Sequence, residues 1–521
     1  VVLLPSHISI LINQHLYINT YTLIGTAYMR YQNTYGKLDP RLYHKQPPTP
    51  LNNPRVGHFN TQVAQQLGWT EDSDLMARWV DIVGGHYVPA DFEPLAMAYA
   101  GHQFGQWAGQ LGDGRGLLMA QVLDNNDQLQ DLHLKGCGLT PYSRMGDGRA
   151  VLRSTIREYL CGHALTQLDI PSSNALGFVV SDTPIRRERM EAGAALMRVA
   201  DSHIRLGHVE WIASFAPDLL GEFTDYMIDT YYPECRNSEK PVLAFLQAVV
   251  ERTARMIADW QLIGFAHGVM NTDNLSITGS TLDFGPFGFM ERFDPAWVNN
   301  HSDHTGRYAY QNQPAIGHWN LNVWLPHFMR LTQAGVTRDS LAECLAPYEP
   351  TFMQHYQQGL CRKLGLPHQP ESLKLAFEWL TLLEDNLLDY TNSFRALLAL
   401  VSPNEHPYEQ QLLTTMIAEL DGEPLQVWQD WSVRYLAQIE QQEGLSNDQV
   451  INELQTNNPV YILRNSMAQH AIDAAEQGQF EEVARLYTLL ASPYRVQDIA
   501  TELDSSPPAP NAPQMPISCS S

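Results

Sequence analysis

The strongest constraint on this 521-residue chain is a pair of short motifs near its middle. His267 and Asn274 stand seven residues apart, and Asp283-Phe284-Gly285 begins nine residues after Asn274. A run with helical spacing leads into them, comprising Leu243, Leu246, Val249, Val250, Thr253, Ile257 and Trp260, entered at Pro241 and closed at Gly264. Proline suits the first turn of a helix, where its missing N–H is not needed, so the spacing predicts a long helix feeding straight into the motif. An Asn and an Asp delivered by adjacent loops can share one Mg2+ against nucleotide phosphates, because hard cations take oxygen ligands.

In kinase-like folds the pattern is H-x-D-x-x-x-x-N, then D-F-G. The aspartate position is Val269 here, and valine cannot accept a proton. A lone DFG is weak; DFG with a correctly spaced His and Asn after a long amphipathic helix is far more specific. Upstream, Lys135 closes the strand-like run Asp131-Leu132-His133-Leu134-Lys135, and Glu158 follows 23 residues later in a helical stretch. That is the order of the strand lysine and helix glutamate that orient nucleotide phosphates. The plainer alternative is a surface lysine and a solvated glutamate.

Gly-Asp-Gly-Arg occurs twice, at Gly112-Asp113-Gly114-Arg115 and at Gly146-Asp147-Gly148-Arg149. Glycines let backbone N–H groups converge on an anion, and arginine adds a two-pronged charge. Arg198 and Arg205, seven apart, are expected to share a helical face and to complete a triphosphate clamp, with surface salt bridges as the alternative. His301-Ser302-Asp303-His304 is expected to be a structural loop rather than a zinc site, since no second ligand pair stands at metal spacing. Arg186-Arg187-Glu188-Arg189 is expected to be a solvated loop, with contact to substrate as the lesser alternative.

The rest of the chain reads as α+β, with a glycine-rich strand region first and a helical region second. Residues 116–123 and 129–135 are predicted as a strand pair around the polar turn 124–127. Residues 150–168 are predicted as a helix, 175–180 and 194–199 as strands, and 340–490 as almost all helix, with 372–400 the clearest stretch. Five prolines between residues 40 and 54 mark an extended entry segment. Residues 1–30 are expected to be a poorly structured extension without a signal peptide, and 501–521 a mobile Pro/Ser tail. A net charge of -24 with 44% hydrophobic residues argues for a large core and against nucleic acid or anionic membranes as partners, which call for a Lys/Arg surplus. Six cysteines without a C-x-x-C pair suggest a reducing compartment, hence the cytoplasm.

At these residues the sequence resembles the selenoprotein O family, also called the YdiU family, of protein adenylyltransferases. The resemblance runs from about Tyr31 to about Asn322 and returns in the final residues. It is carried by Pro47-Pro48-Thr49-Pro50-Leu51, Tyr99-Ala100-Gly101-His102-Gln103-Phe104-Gly105, Leu111-Gly112-Asp113-Gly114-Arg115, Leu134-Lys135-Gly136, Thr140-Pro141-Tyr142-Ser143-Arg144, the run from Gly264 to Asn274, and Asn300-His301-Ser302-Asp303. The resemblance implies a bilobal protein-kinase-like fold with a long helical C-terminal extension, divided into an N-lobe at 31–210, a C-lobe core at 211–335 and a helical region at 336–500. It implies ATP bound in a flipped orientation, with AMP passing to Ser, Thr or Tyr hydroxyls of proteins. Gly112, Gly114, Arg115, Lys135, Asp147, Gly148, Arg198, Arg205 and Asp283 would contact ATP, and Glu158 would pair with Lys135. Asp273 would be the proton acceptor, and Asn274 and Asp283 would hold Mg2+, or Mn2+. Cys519 stands where eukaryotic members carry selenocysteine and is a candidate redox residue. Asn299 occupies the place of the cysteine that many bacterial members carry after DFG, so a disulfide latch between those two places is not expected.

Three other readings stay open on the residues alone: UMP transfer from UTP, a kinase-like phosphotransferase acting on a small molecule, and a non-catalytic nucleotide-binding regulator. Val269 counts against the phosphotransferase, and the retained Lys135, Glu158, Asn274 and Asp283 count against the regulator. Asp273, so close to a metal ligand, could take a proton or bind metal. A monomer is expected.

Overall fold

The computed structural model describes residues 29–403, 405–441, 446–507 and 517. The expected N-terminal extension, apart from residues 29 and 30, and the candidate redox residue Cys519 lie outside the described residues. The strands in chain order are β1 (Arg30–Tyr31), β2 (Tyr43–Lys45), β3 (Arg55–Phe59), β4 (Leu95–Met97), β5 (Ala100–Gln103), β6 (Gln106–Gln110), β7 (Gly116–Leu123), β8 (Leu129–Lys135), β9 (Ala150–Val151), β10 (Asn174–Arg186) and β11 (Met190–Ala200). Nine of them form an antiparallel sheet in the order β2-β4-β7-β8-β11-β10-β3, with β1 on β7 and β9 on β11. β5 and β6 form a separate hairpin.

The expected pair β7–β8 is present. Its turn is closed by Asp124, whose Oδ1 accepts from the backbone N–H groups of Asn126 and Gln128 at 2.8 and 2.9 Å, the usual way an Asp nucleates a turn. β10 and β11 run well past the expected 175–180 and 194–199, because their arms stay paired out to Arg186 and Met190. The basic run at 186–189 is therefore a hairpin tip rather than an independent loop.

Helices α1 (Thr61–Gln66), α2 (Ser73–Val83) and α3 (Leu152–Gln167) belong to this part of the chain. α3 lies against β10 and β11, burying Ile156, Leu160 and Ala164 in the same cluster as Phe178 and Leu196. α4 (Leu206–Phe215) and α5 (Leu220–Tyr231) lead to α6 (Pro241–Leu262), which starts at Pro241 as predicted. α6 buries Leu246, Val249, Val250, Ile257 and Trp260 and ends in β12 (Phe265–Ala266), which pairs with β13 (Gly288–Phe289). The two short strands bracket the motif region.

The remaining helices are α7 (Gln313–Trp324), α8 (Arg338–Leu345), α9 (Tyr348–Lys363), α10 (Pro370–Asp385), α11 (Tyr390–Val401), α12 (Pro407–Ala418), α13 (Gly422–Glu440), α14 (Asn447–Asn457), α15 (Asn465–Glu476), α16 (Glu481–Leu490) and α17 (Glu502–Ser505). The stretch 372–400 is helical as expected, in two helices. Leu387 adopts a left-handed φ of 48°, and Asp389 caps α11 by accepting from the Asn392 N–H at 2.7 Å, so the chain stops and restarts there. Trp379 of α10 stacks on Trp431 of α13 at 4.6 Å between ring centres, in a second buried cluster. α15 and α16 pack back on α3. Ile517 is buried, and its carbonyl accepts from the His301 N–H at 2.8 Å. Among the described residues no helix is long and apolar enough to cross a membrane.

Candidate active site

β12 delivers His267 into the interior, where it is fully buried. Its Nε2 donates to the Leu282 carbonyl at 2.7 Å, just before Asp283. Burial lowers the pKa of His267, so the ring is a neutral strut joining the two motifs. Asn274 turns its amide nitrogen to the Val269 carbonyl at 3.0 Å, and its amide oxygen has no hydrogen-bond partner among the described residues. The Val269 side chain stays in the wall. Asp283 has a left-handed φ of 55°, a conformation uncommon for a non-glycine residue that persists only where the surroundings hold it.

Two arginines hold it. Arg198 Nη2 reaches Asp283 Oδ1 at 2.8 Å, and Arg205 Nη2 reaches Oδ2 at 2.8 Å. Arg198 also pairs with Glu158, and Glu158 pairs with Lys135. The register explains the convergence. Leu196 lies opposite Lys135 and Arg198 opposite His133, so with the two-residue alternation of strands Lys135 and Arg198 share the face toward α3 and Glu158. Burial alone would raise the Glu158 carboxyl, but Arg198 and Lys135 outweigh it and hold the group at about 2. Burial lowers Lys135 to about 8 against the pull of Glu158. Asp283, despite its burial, is held well below the usual carboxylate range by Arg205 and Arg198. Arg198 and Arg205 do converge, but not along a helical face. Arg198 is in β11 and Arg205 is the residue before α4, so their spacing of seven is coincidental.

The two Gly-Asp-Gly-Arg copies do different jobs. In the first, Asp113 points inward, accepting from the Met97 N–H at 3.0 Å and standing 3.3 Å from His133 Nε2. Gly112 has φ 135°, and a Cβ there would lie 2.5 Å from the Tyr142 ring. The Arg115 side chain extends into the cavity without an ion pair or hydrogen bond among the described residues. In the second, Arg149 is consumed by the entry segment, donating to the carbonyls of Thr49 and Pro50 at 2.8 and 3.0 Å. Gly148 has φ 69°, and a Cβ would fall 2.1 Å from the Gly138 carbonyl oxygen. Asp147 is gripped at both oxygens by Arg187, at 2.6 and 3.0 Å. Arg187 thus belongs to the cavity wall and not to a solvated loop.

Lys135, Arg187, Arg198, Arg205, Val269, Asn274, Asp283 and both Gly-Asp-Gly-Arg segments line one cavity of about 600 Å3, with Tyr99, Gln103, Phe104, Arg144, Asn271 and Ser302. Asp273 is in its wall, 6% exposed. Burial lifts its carboxyl to about 7, against the hydrogen bond from Gln103. Asp273, Asn274 and Asp283 give the cavity a set of oxygen donors suited to a hard cation, although among the described residues no group of three or more His, Cys, Asp or Glu is arranged around a common point. The loop 301–304 is tied to the segment that follows it, with Asp303 accepting from the N–H groups of Arg307 and Tyr308 at 3.1 and 2.7 Å. Arg144, Gln103 and Tyr99, over whose ring Arg205 stacks at 4.9 Å, are cavity residues that spacing did not single out, although all three fall in the long motifs quoted above.

Residues 26–491 match the sequence model of the family described as Protein adenylyltransferase SelO, so the helical region beyond Asn322 belongs to the match as well. The chain is 43% identical over 500 residues to a protein nucleotidyltransferase YdiU of Vibrio vulnificus strain YJ016, covering 95% of this chain and 99% of that one. It is 43% identical over 491 residues to the YdiU of Aliivibrio fischeri strain MJ11, covering 94% and 98%. It is 41% identical over 500 residues to that of Pseudomonas fluorescens strain SBW25, covering 95% and 99%. With its fold and cavity described and nearly its whole length matched, the chain belongs to the protein adenylyltransferase SelO family of nucleotidyltransferases.

Proposed function

We propose that this chain transfers AMP from ATP to Ser, Thr or Tyr hydroxyls of proteins and releases pyrophosphate, on a bilobal kinase-like scaffold with a helical C-terminal extension. The observation that carries the reading is the placement of carboxylates. Val269 leaves the usual base position empty of any proton acceptor, while Asp273, next to Asn274, presents a carboxyl in the wall of the same cavity.

Lys135, Arg115, Arg198 and Arg205 bind the phosphates, with the backbone of Gly112, Gly114 and Gly148 closing around them. Asp147, held by Arg187, flanks the nucleotide, and Glu158 orients Lys135. Asn274 and Asp283 would hold Mg2+, or Mn2+, which when bound neutralises phosphate charge. Asp283 is saturated by arginine in this structure. Phosphates give Arg198 and Arg205 new partners and free its oxygens. The acceptor hydroxyl oxygen forms a bond to the α-phosphorus and the bond to the bridging α–β oxygen breaks. Pyrophosphate leaves with that electron pair, and the hydroxyl proton passes to Asp273. A carboxyl lifted toward neutral pH is matched to that task.

Product analysis tests this. Incubation with ATP, Mg2+ and a protein acceptor is expected to give pyrophosphate in step with modified protein. ADP formed in its place would overturn the reading.

A further inference from the structure

The β5–β6 hairpin touches the catalytic segment residue by residue. The His102 N–H donates to Thr272 Oγ1 at 2.7 Å, Gln103 Nε2 to Asp273 Oδ2 at 2.9 Å, and the Phe104 N–H to Asn271 Oδ1 at 3.1 Å. Three consecutive hairpin residues thus meet three consecutive residues of the catalytic loop. Glu210 of α4 ties the two together, accepting from Thr272 Oγ1 at 2.8 Å and pairing with His102 Nδ1 at 3.1 Å. The turn is strained to allow this. Phe104 and Gly105 have φ of 50° and 80°, the two-residue left-handed geometry of a tight hairpin, which is costly for a phenylalanine. Phe104 is 39% exposed, so burial of its ring does not explain the strain. What holds the turn is the Phe104 N–H, donating to Asn271 and to the Tyr308 hydroxyl.

Asp273 depends on this strand. Its Oδ2 is bound by Gln103, and its Oδ1 is buried with no hydrogen-bond partner among the described residues. A Cβ on Gly101 would lie 2.6 Å from that Oδ1. The amide of Gln103 and the missing side chain of Gly101 together fix where the carboxylate sits.

We infer that Gln103 is a positioning residue for the transfer reaction, holding the Asp273 carboxylate from β5 across the cavity wall. This rests on the reading of Asp273 as proton acceptor. Gln103 does not act on the nucleotide, and its effect reaches the reaction through Asp273. β5 continues into Phe104, so the strand that sets the carboxylate also forms part of the cavity wall.

The test uses the full chain with α-labelled ATP and Mg2+, and reads label in β-casein and in the chain itself. Gln103→Met keeps the length and shape of the side chain and removes the donor. Gln103→Met and Gln103→Ala are both expected to lower kcat at least tenfold, leaving KM for ATP within twofold and the thermal midpoint near that of wild type. Gln103→Met with wild-type kcat would overturn the inference, since a packing role survives that substitution and a hydrogen-bonding role does not. A raised KM for ATP with unchanged kcat would overturn it too. Wild-type protein that labels neither acceptor would instead bring down the AMP-transfer reading, and this inference with it.

Discussion

Arg205 meets Asp283 twice, through Nε at 2.9 Å and Nη2 at 2.8 Å, both onto Oδ2. Arg205 is buried, at 2% exposure, Asp283 is half-buried, and Arg198 takes the other carboxylate oxygen. Truncating Arg205 removes two charge-assisted hydrogen bonds while Arg198 still neutralises Asp283, a cost of about 1.5–3 kcal/mol. Arg205→Ala is therefore expected to lose about that much stability in urea unfolding, together with ATP affinity. Arg205→Lys is expected to recover only part of either, because a single ammonium does not replace the two-pronged contact.

Arg115 and Arg149 end identical tetrapeptides and should respond in opposite ways. Arg115 is unpaired among the described residues and faces the cavity, so Arg115→Ala should leave stability within about 0.5 kcal/mol and weaken ATP at least tenfold. Arg149 donates to two carbonyls of the entry segment. Arg149→Ala should cost about 1.5–3 kcal/mol of stability, the worth of charged hydrogen bonds to backbone. Parallel urea curves and ATP titrations of the two variants check this.

Asp273→Ala should cut transfer by about 10^2–10^4, the range for a lost general base, with ATP still bound. Val269→Asp should not produce γ-phosphate transfer, because a new carboxylate there does not re-orient the nucleotide. Calorimetric ATP binding and label incorporation separate the two effects.

His163 makes stability depend on pH. Burial lowers it to about 4, against the Tyr487 carbonyl to which its Nε2 is bonded at 2.9 Å. Between pH 6.5 and about 4 the unfolded chain binds a proton that the folded ring does not, so this contribution to stability is full above pH 6.5 and falls as pH drops through that window. At pH 5 the loss is about 2 kcal/mol. Urea unfolding at pH 7 and pH 5 should show wild type losing about that much relative to His163→Gln.

What was legible in the sequence was local. α3, α6 and the β7–β8 pair announced themselves through apolar spacing and turn residues, and Lys135 with Glu158 through their order ahead of DFG. What was hidden depended on strands meeting at a distance. Gln103 lies 170 residues from Asp273, and no periodicity links them. Arg187 read as surface because a hairpin tip looks like any polar loop until its arms are paired. Arg198 and Arg205 do meet at one carboxylate, but a spacing of seven fits a helix while the chain there is strand, then turn. The break at Leu387 has its local signal in Asp389, a helix-cap residue inside the helical stretch 372–400.

The central claim is that the α-phosphorus is the one attacked. Incubating the chain and a protein acceptor with Mg2+ and ATP labelled at the α position, and in parallel at the γ position, tests it directly. Label entering protein from the α position alone is the expected result. Label entering only from the γ position would contradict the account.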